Sequence, residues 1–367
     1  MTDDRRKIVE LESLRGLAAL LVVVYHIPKW NPILDVGLIN NAYLMVELFF
    51  VISGFVIFTA YAEKIRSPRA LLEFQFLRLG RLYPVHLLFL FLFLLIEAGK
   101  YFAVSRYGVE NIHAVPFKEN SPQALIEQTL LLQAILPNGN AVTFNPPAWS
   151  ISVEFYTYIV FGASVFLFGR NKTWAMALLS AVPMALLIAD ATFGMGFFLR
   201  CLAGFFLGCL TARFTNGSTF VPPKYASLLL FLSLALYLQI KPKQEYDSLV
   251  FFLTAALIAS LVLRKDGWLN GLLVKKPFAW LGEISYSVYM SQAFVIWVVT
   301  SVFKRIFQLP EVQHADGYWA ASLPVLETTA AALITVAFVI LFSQIIFFIL
   351  EKPMRERSRK FVFGLRA

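Results

Sequence analysis

A chain of 367 residues that is 59% hydrophobic and only 15% charged, with a mean hydropathy of +0.69, is far from a water-soluble domain of that length. Its net charge of +9 is not carried by a basic run with interleaved aromatics, which argues against nucleic acid as a partner and for loop placement around a bilayer. Cys201 and Cys209 stand eight apart in one apolar segment, about 12 Å along a helix, too far for a disulfide, and no metal site is expected.

In chain order, apolar runs of spanning length fall near residues 11 to 27, 42 to 62, 82 to 104, 148 to 168, 173 to 189, 193 to 213, 225 to 240, 246 to 264, 277 to 303 and 324 to 350. The expected fold is therefore all-α: a polytopic membrane protein of about ten transmembrane helices. The first run is followed by Pro28 and Trp30 rather than a small-residue cleavage site, so it reads as a retained helix. With the N-terminus inside, roughly 22 Lys and Arg fall on inner segments against about 8 outside, which predicts both termini inside. The longest connection, from about Gly99 to Pro147, then lies outside. Its middle, Pro122 to Leu136, reads as an amphipathic or re-entrant helix. Residues 1–367 form one membrane-embedded domain in this reading, with no fused soluble domain and no internal repeat.

The first helix carries a cation and a titratable base, Arg15 and His26, eleven steps apart. At 100° and 1.5 Å per step they return to within about 20° of one face and lie about 16 Å apart along the axis. Toward the outer side, Glu47, Glu154 and Arg200 sit inside apolar helices, at a cost of about 2.5–3.5 kcal/mol each on insertion scales. Such groups pair with one another or line a cavity, and either carboxylate is a candidate partner for the arginine. Ser150 and Tyr158 share the face of Glu154. Ser285, Tyr289 and Gln292 form a stripe on a later helix, and Gly204 with Gly208 makes a small-xxx-small pair that admits a close neighbour. Toward the inner side, Arg78, Arg81, Tyr83, Arg15, Lys275 and Lys276 gather into a candidate polyphosphate site.

The ordered set LRGLAALLVVVYH, VELFFVISGFVI, RLGRLYP, WSISVEFY, RCLAGFFLG, LGEISYSVYM and LEKPMR resembles the acyltransferase 3 family of integral membrane acyltransferases over almost the whole chain. The resemblance implies an acyl-CoA donor, most often acetyl-CoA, used as a co-substrate with no bound cofactor. It implies O-acylation of a carbohydrate or glycolipid acceptor at a cell membrane, here expected to be a bacterial inner membrane, with membrane lipid as the other partner. The family's cation, ten residues, histidine motif falls on Arg15 and His26, its R-x-x-R on Arg78 and Arg81, and the acid of its WS-x-S-x-E on Glu154. Two positions depart from the family pattern: Glu47 stands where many members carry aspartate, and Gln292 where many carry histidine. The second departure concentrates the base assignment on His26, since His86 falls near the inner end of its helix and His113 and His314 in outer loops.

Together these readings give a mechanism to be tested. Donor phosphates rest near Arg15, Arg78, Arg81, Tyr83 and Lys275, the pantetheine arm runs beside the first helix, and His26, supported by Glu154, removes the acceptor proton. A covalent variant would place the acyl group on Ser150, Ser152 or Ser291, and a transporter or lipid-binding protein is the reading from another class.

Overall fold

The computed structural model describes residues 8–108, 115–242, 247–307, 311–313 and 319–364; His113 and His314 lie outside the described residues. The described chain is helical apart from two three-residue strands, β1 (Glu311–Gln313) and β2 (Trp319–Ala321), which pair antiparallel with Val312 opposite Ala320. The helices are α1 (Val9–His26), α2 (Gly37–Asn40), α3 (Met45–Tyr61), α4 (Pro68–Tyr107), α5 (Pro122–Thr129), α6 (Trp149–Phe168) and α7 (Lys172–Ile188). They continue with α8 (Gly196–Thr215), α9 (Ala226–Ile240), α10 (Leu249–Leu263), α11 (Trp268–Leu273), α12 (Lys276–Phe307), α13 (Val325–Ile346) and α14 (Lys352–Gly364).

Six helical stretches among the described residues are long and apolar enough to cross a membrane: 42–61, 68–107, 146–188, 196–215, 276–306 and 325–364. They coincide with seven of the ten expected runs, the stretch 146–188 holding two of them. α9 and α10 are apolar but shorter, 15 residues each. The two runs at 148 to 168 and 173 to 189 join into one apolar stretch, interrupted at Gly169, whose φ of 45° breaks the helix between α6 and α7. α1 is not among the six. Its 18 residues include Glu10, Glu12 and Arg15, so its amphipathic character comes from charge crowded into one end.

The chain forms two compact units. The first comprises Met1–Ala60, Gly204–Tyr289 and Phe307–Ala337; the second comprises Tyr61–Ala203, Met290–Ile306 and Phe338–Ala367.

In the first unit, helices meet through glycines. Gly16 of α1 lies against Gly282 of α12, so close that a side-chain carbon at Gly16 would come within 2.7 Å of the Gly282 nitrogen. Gly54 of α3 likewise faces the Phe205 carbonyl of α8, and Gly208 faces the Val51 carbonyl. The small-xxx-small pair thus does what its spacing predicts. At the start of α1, the Ser13 hydroxyl donates to the Leu273 carbonyl at 2.6 Å, fixing α11 beside α1. At its end, Asn31 Nδ2 donates to the Leu323 carbonyl and the Leu323 amide to the Trp30 carbonyl, both at 2.9 Å.

The second unit is organised on α4. The forty residues of α4 extend about 60 Å, twice a hydrocarbon core. Gly108 closes α4 with a left-handed φ of 60°, and the connection then folds back along the helix it has just left. Glu97 accepts from the Phe117 amide (3.2 Å), Asn120 Nδ2 (3.0 Å) and Lys100 Nζ (2.6 Å). Fourteen residues earlier on α4, about 21 Å along its axis, the Tyr83 hydroxyl donates to the Thr129 carbonyl (2.7 Å) and His86 Nε2 donates to the Gln128 carbonyl (2.8 Å). Leu90, Ala124 and Phe144 fill the space between with a small apolar core.

The expected helix Pro122 to Leu136 is shorter than its pattern suggested. α5 begins at a Ser121 cap, whose hydroxyl accepts from the Ala124 amide, but ends at Thr129. Leu131 takes a left-handed φ of 58° while the Leu132 amide returns to the Glu127 carbonyl at 2.8 Å. That is a helix-terminating loop of the kind glycine normally supplies, so no residue type announced it. The Glu127 carboxylate then gathers Gln123, Asn138 and Asn140.

Candidate active site

His26 is the last residue of α1, and the chain turns extended at Ile27 immediately after it. The imidazole is exposed, yet oriented: Nδ1 lies 2.9 Å from the Val22 carbonyl one turn back. A carbonyl oxygen can only accept, so this bond requires the proton on Nδ1 and leaves the lone pair of the neutral ring on Nε2. The ring edge meets Tyr25, with centroids 4.9 Å apart, and Tyr25 in turn meets Tyr43 at 6.2 Å.

Tyr43 is itself locked. Its hydroxyl donates to the Asp247 carboxylate at 2.9 Å, and Lys241 Nζ, 2.7 Å from the same carboxylate, lies over the Tyr43 ring at 5.7 Å. The Lys241 side chain is only 1% exposed, and such a buried cation persists only with its carboxylate and hydrogen bonds in place. Sequence reading missed this group. A lysine directly after the apolar run ending at Ile240, with Asp247 six residues later in sequence, was the available signal.

Arg15 is half-buried on α1, eleven residues before His26, and Lys275 is exposed just beyond Leu273, the residue that receives Ser13. Arg15 and Lys275 therefore belong to the same end of α1. Glu47 is buried in the first turn of α3, where the positive end of the helix dipole favours a carboxylate. Ser285 and Tyr289 are buried on α12: the Ser285 hydroxyl donates to the Gly282 carbonyl at 2.8 Å and the Tyr289 ring meets Phe49 edge-on at 5.6 Å.

In the second unit, Arg78 is buried with its guanidinium 5.3 Å over the Tyr61 ring and 5.9 Å over Phe74, and Nη2 donates to the Tyr61 hydroxyl at 3.2 Å. Its Nε is buried with no hydrogen-bond partner among the described residues. Tyr61 was not singled out from the sequence. The Tyr158 hydroxyl donates to Glu154 Oε1 at 2.5 Å. Phe74, which lies 5.9 Å from the Arg78 guanidinium, also meets the Tyr158 ring at 6.1 Å, so one phenylalanine lies between the first arginine of R-x-x-R and the partner of Glu154. Arg200 lies 5.1 Å over the Trp149 ring and 5.9 Å from Phe197, a cation–π arrangement. Gln292 is fully buried.

The serines considered as nucleophiles are engaged elsewhere. Ser150 donates to the Pro147 carbonyl (3.1 Å) and Ser152 to the Leu131 carbonyl (2.5 Å). Ser343 donates to the Val339 carbonyl, so the 2.7 Å contact of its oxygen with Ser291 makes Ser291 the donor there. Tyr83, expected at the donor phosphates, gives its hydroxyl proton to Thr129.

The family profile described as an acyltransferase domain, acyltransferase 3, matches residues 8–344. This chain belongs to the acyltransferase 3 family. Protein 2 in the picA locus of Rhizobium radiobacter is 29% identical over 198 residues, covering 51% of this chain and 96% of that protein. Acyltransferase MdmB of Streptomyces mycarofaciens is 29% identical over 167 residues, 42% of this chain and 39% of its own length. No solved structure matches. Family membership and the six apolar stretches make this a membrane-type acyltransferase, with every motif assigned above except the closing LEKPMR inside the matched residues.

Proposed function

We propose that this acyltransferase moves an acyl group, acetyl by default, from acyl-CoA to a hydroxyl of a cell-surface or lipid-linked carbohydrate, with His26 as general base. The observation that carries the reading is the bond from His26 Nδ1 to the Val22 carbonyl, because it puts the basic lone pair on Nε2 of an exposed ring.

In the proposed step, Nε2 takes the acceptor hydroxyl proton as the oxygen attacks the thioester carbonyl. The carbon–sulfur bond then breaks, and the departing thiolate takes the proton back from the imidazolium. Arg15 and Lys275 at the other end of α1, and Arg78 and Arg81 of α4, are assigned to the donor's phosphates. An arginine held beside a pair of aromatic rings, as Arg78 is beside Tyr61 and Phe74, presents a pre-oriented fork to such an anion. Glu154 completes the assignment, either as the carboxylate that favours protonated His26 or as the group that keeps Tyr158 and the arginine pair in order. The termini are placed on the cytoplasmic side by the charge distribution.

The test is transfer from radiolabelled acetyl-CoA to a glycan fraction by the full-length protein in liposomes, with thiol release measured in parallel. Loss of both in His26→Ala and His26→Gln protein of wild-type thermal stability is the expected result. Wild-type rates in either variant would overturn the assignment of the base.

A further inference from the structure

A base at His26 needs an acceptor held beside it, and the segment that follows α1 carries polar groups suited to that. Lys29 stands three residues after His26, at most about 11 Å along the chain. Its Nζ lies 2.6 Å from Asp35 Oδ1, and Asn40 Nδ2 donates to the same oxygen at 2.9 Å. Asn40 in turn stands three residues before Tyr43, whose ring meets Tyr25, the neighbour of the His26 imidazole. The path from His26 through Lys29, Asp35, Asn40, Tyr43 and Tyr25 therefore closes on itself in short links. It confines an ammonium, a carboxylate and an amide to the same end of α1 as the base.

The segment is pinned along its length. The Asn31 side chain accepts from the Ile33 amide at 3.1 Å and donates to the Leu323 carbonyl at 2.9 Å. The Leu38 amide donates to Gln239 Oε1 at 3.0 Å, and Asn41 Nδ2 to the Leu238 carbonyl at 2.9 Å. Polar groups fixed in this way set the orientation of a hydrogen-bonding ligand. Charge then decides which ligand suits them. The Asp35 side chain is 51% exposed and that of Lys29 19%, so the carboxylate is presented outward while the ammonium that answers it is mostly covered. Of the other charged side chains described at this end, Glu47 is buried, Glu327 in the first turn of α13 is exposed, and Asp247 is more open than its Lys241. A carboxylate only accepts, so this rim takes hydrogens from hydroxyls and repels a phosphate or a second carboxylate.

We propose that Lys29, Asp35 and Asn40 form the acceptor subsite: Asp35 accepts from hydroxyls of a neutral sugar, Lys29 and Asn40 hold its carboxylate in place, and a sugar carrying its own negative charge is disfavoured. The inference rests on the proposed role of His26 and adds which acceptor that base serves. A unit charge about 4 Å away in water corresponds to a factor of about five in affinity.

The experiment is saturation-transfer difference NMR of the full-length protein in neutral detergent. The probes are methyl glucoside and methyl glucuronide, which differ only by a hydroxymethyl group against a carboxylate. The wild type should prefer the glucoside about fivefold. Asp35→Asn should weaken glucoside binding about three- to tenfold, through loss of a charge-assisted hydrogen bond, and narrow the difference between the probes, while Asp35→Glu retains the preference. In turnover, Asp35→Asn should raise acceptor KM and not donor KM. Because binding is read without turnover, His26→Ala protein should keep the wild-type preference, so a wrong base would show in turnover alone. An exposed pair contributes little to folding, and should a variant misfold nonetheless, raising salt from about 0.05 to about 0.5 M must erode the wild-type preference. No saturation transfer to the glucoside, glucuronide bound as well or better, a preference indifferent to salt, or Asp35→Asn protein that binds like the wild type would each overturn the subsite.

Discussion

At the end of α1 the His26 imidazole is exposed, aimed by a backbone carbonyl and braced edge-on by Tyr25, whereas on α4 the Arg78 guanidinium is buried and stacked on Tyr61 and Phe74. Aromatic rings hold both groups, but in different ways. Edge contact on an exposed ring fixes a direction while leaving Nε2 able to gain and lose a proton. Face contact on a permanently charged guanidinium holds the charge in place and tolerates desolvation. Under the proposed function the difference would separate the group that reacts from the one that recognises the donor.

The largest effect should come from removing the reacting group. His26→Ala is expected to lower kcat by about 10²- to 10⁴-fold, the range of general base catalysis, with donor KM little changed. A similar rise in donor KM with kcat preserved would make His26 a binding residue and erase the contrast. Glu154→Gln sharpens the contrast by choosing between two roles: support of His26 predicts a kcat loss and a displaced pH profile, whereas ordering of Tyr158 and the arginine pair predicts a higher donor KM at unchanged pH dependence. Arg78→Lys comes next. It keeps the charge but loses the planar stack, and a hydrogen bond to a charged group contributes about 1.5–3 kcal/mol, so donor KM should rise about tenfold or more while kcat holds. Steady-state kinetics in liposomes decides all three.

Much of this was legible in the sequence because it depended on residue type and helical period. Gly208 of the small-xxx-small pair meets a neighbouring backbone as its spacing suggests, and the R-x-x-R, histidine and acid motifs lie inside a matched family profile. What escaped depended on contacts between distant segments. Nothing local says that Tyr61 will lie under Arg78 or that the connection after α4 will return to Tyr83. The end of α5 escaped for a local reason, since Leu131 occupies a backbone region that leucine seldom enters. By length and composition, α1 with its three charges and the shorter α9 and α10 stand apart from the six long apolar stretches.

Smaller effects probe what braces each region. Lys241→Met leaves Asp247 without its cation beneath Tyr43. Breaking a buried pair costs about 3–5 kcal/mol, but Asp247 is 33% exposed, so about 1–3 kcal/mol is the expected loss in a detergent melt. If Tyr43 and Tyr25 brace His26, kcat should also fall a few-fold, and a variant that melts early yet turns over normally would detach the ion pair from the active end.

The smallest effect concerns Glu63, which joins the α3–α4 turn to α7 through Lys172 Nζ at 2.5 Å. The hydrogen bond from Lys172 holds this carboxyl below its ordinary value of 4.5, outweighing the opposing effect of desolvation, with the Lys172 charge and Arg66 adding to the lowering. A carboxyl whose folded value is lowered contributes stability that is fully present above its unfolded value and is lost as pH falls through the folded one. Glu63 is 73% exposed, so solvent screening keeps the pair to about 0.2–1 kcal/mol. Glu63→Gln should therefore lower the melting temperature slightly at pH 7 and leave it unchanged well below pH 4. A variant equally destabilised at both pH values would show that the side chain acts there by packing, leaving the charged contacts of that turn without a part in holding α4 and its arginine pair.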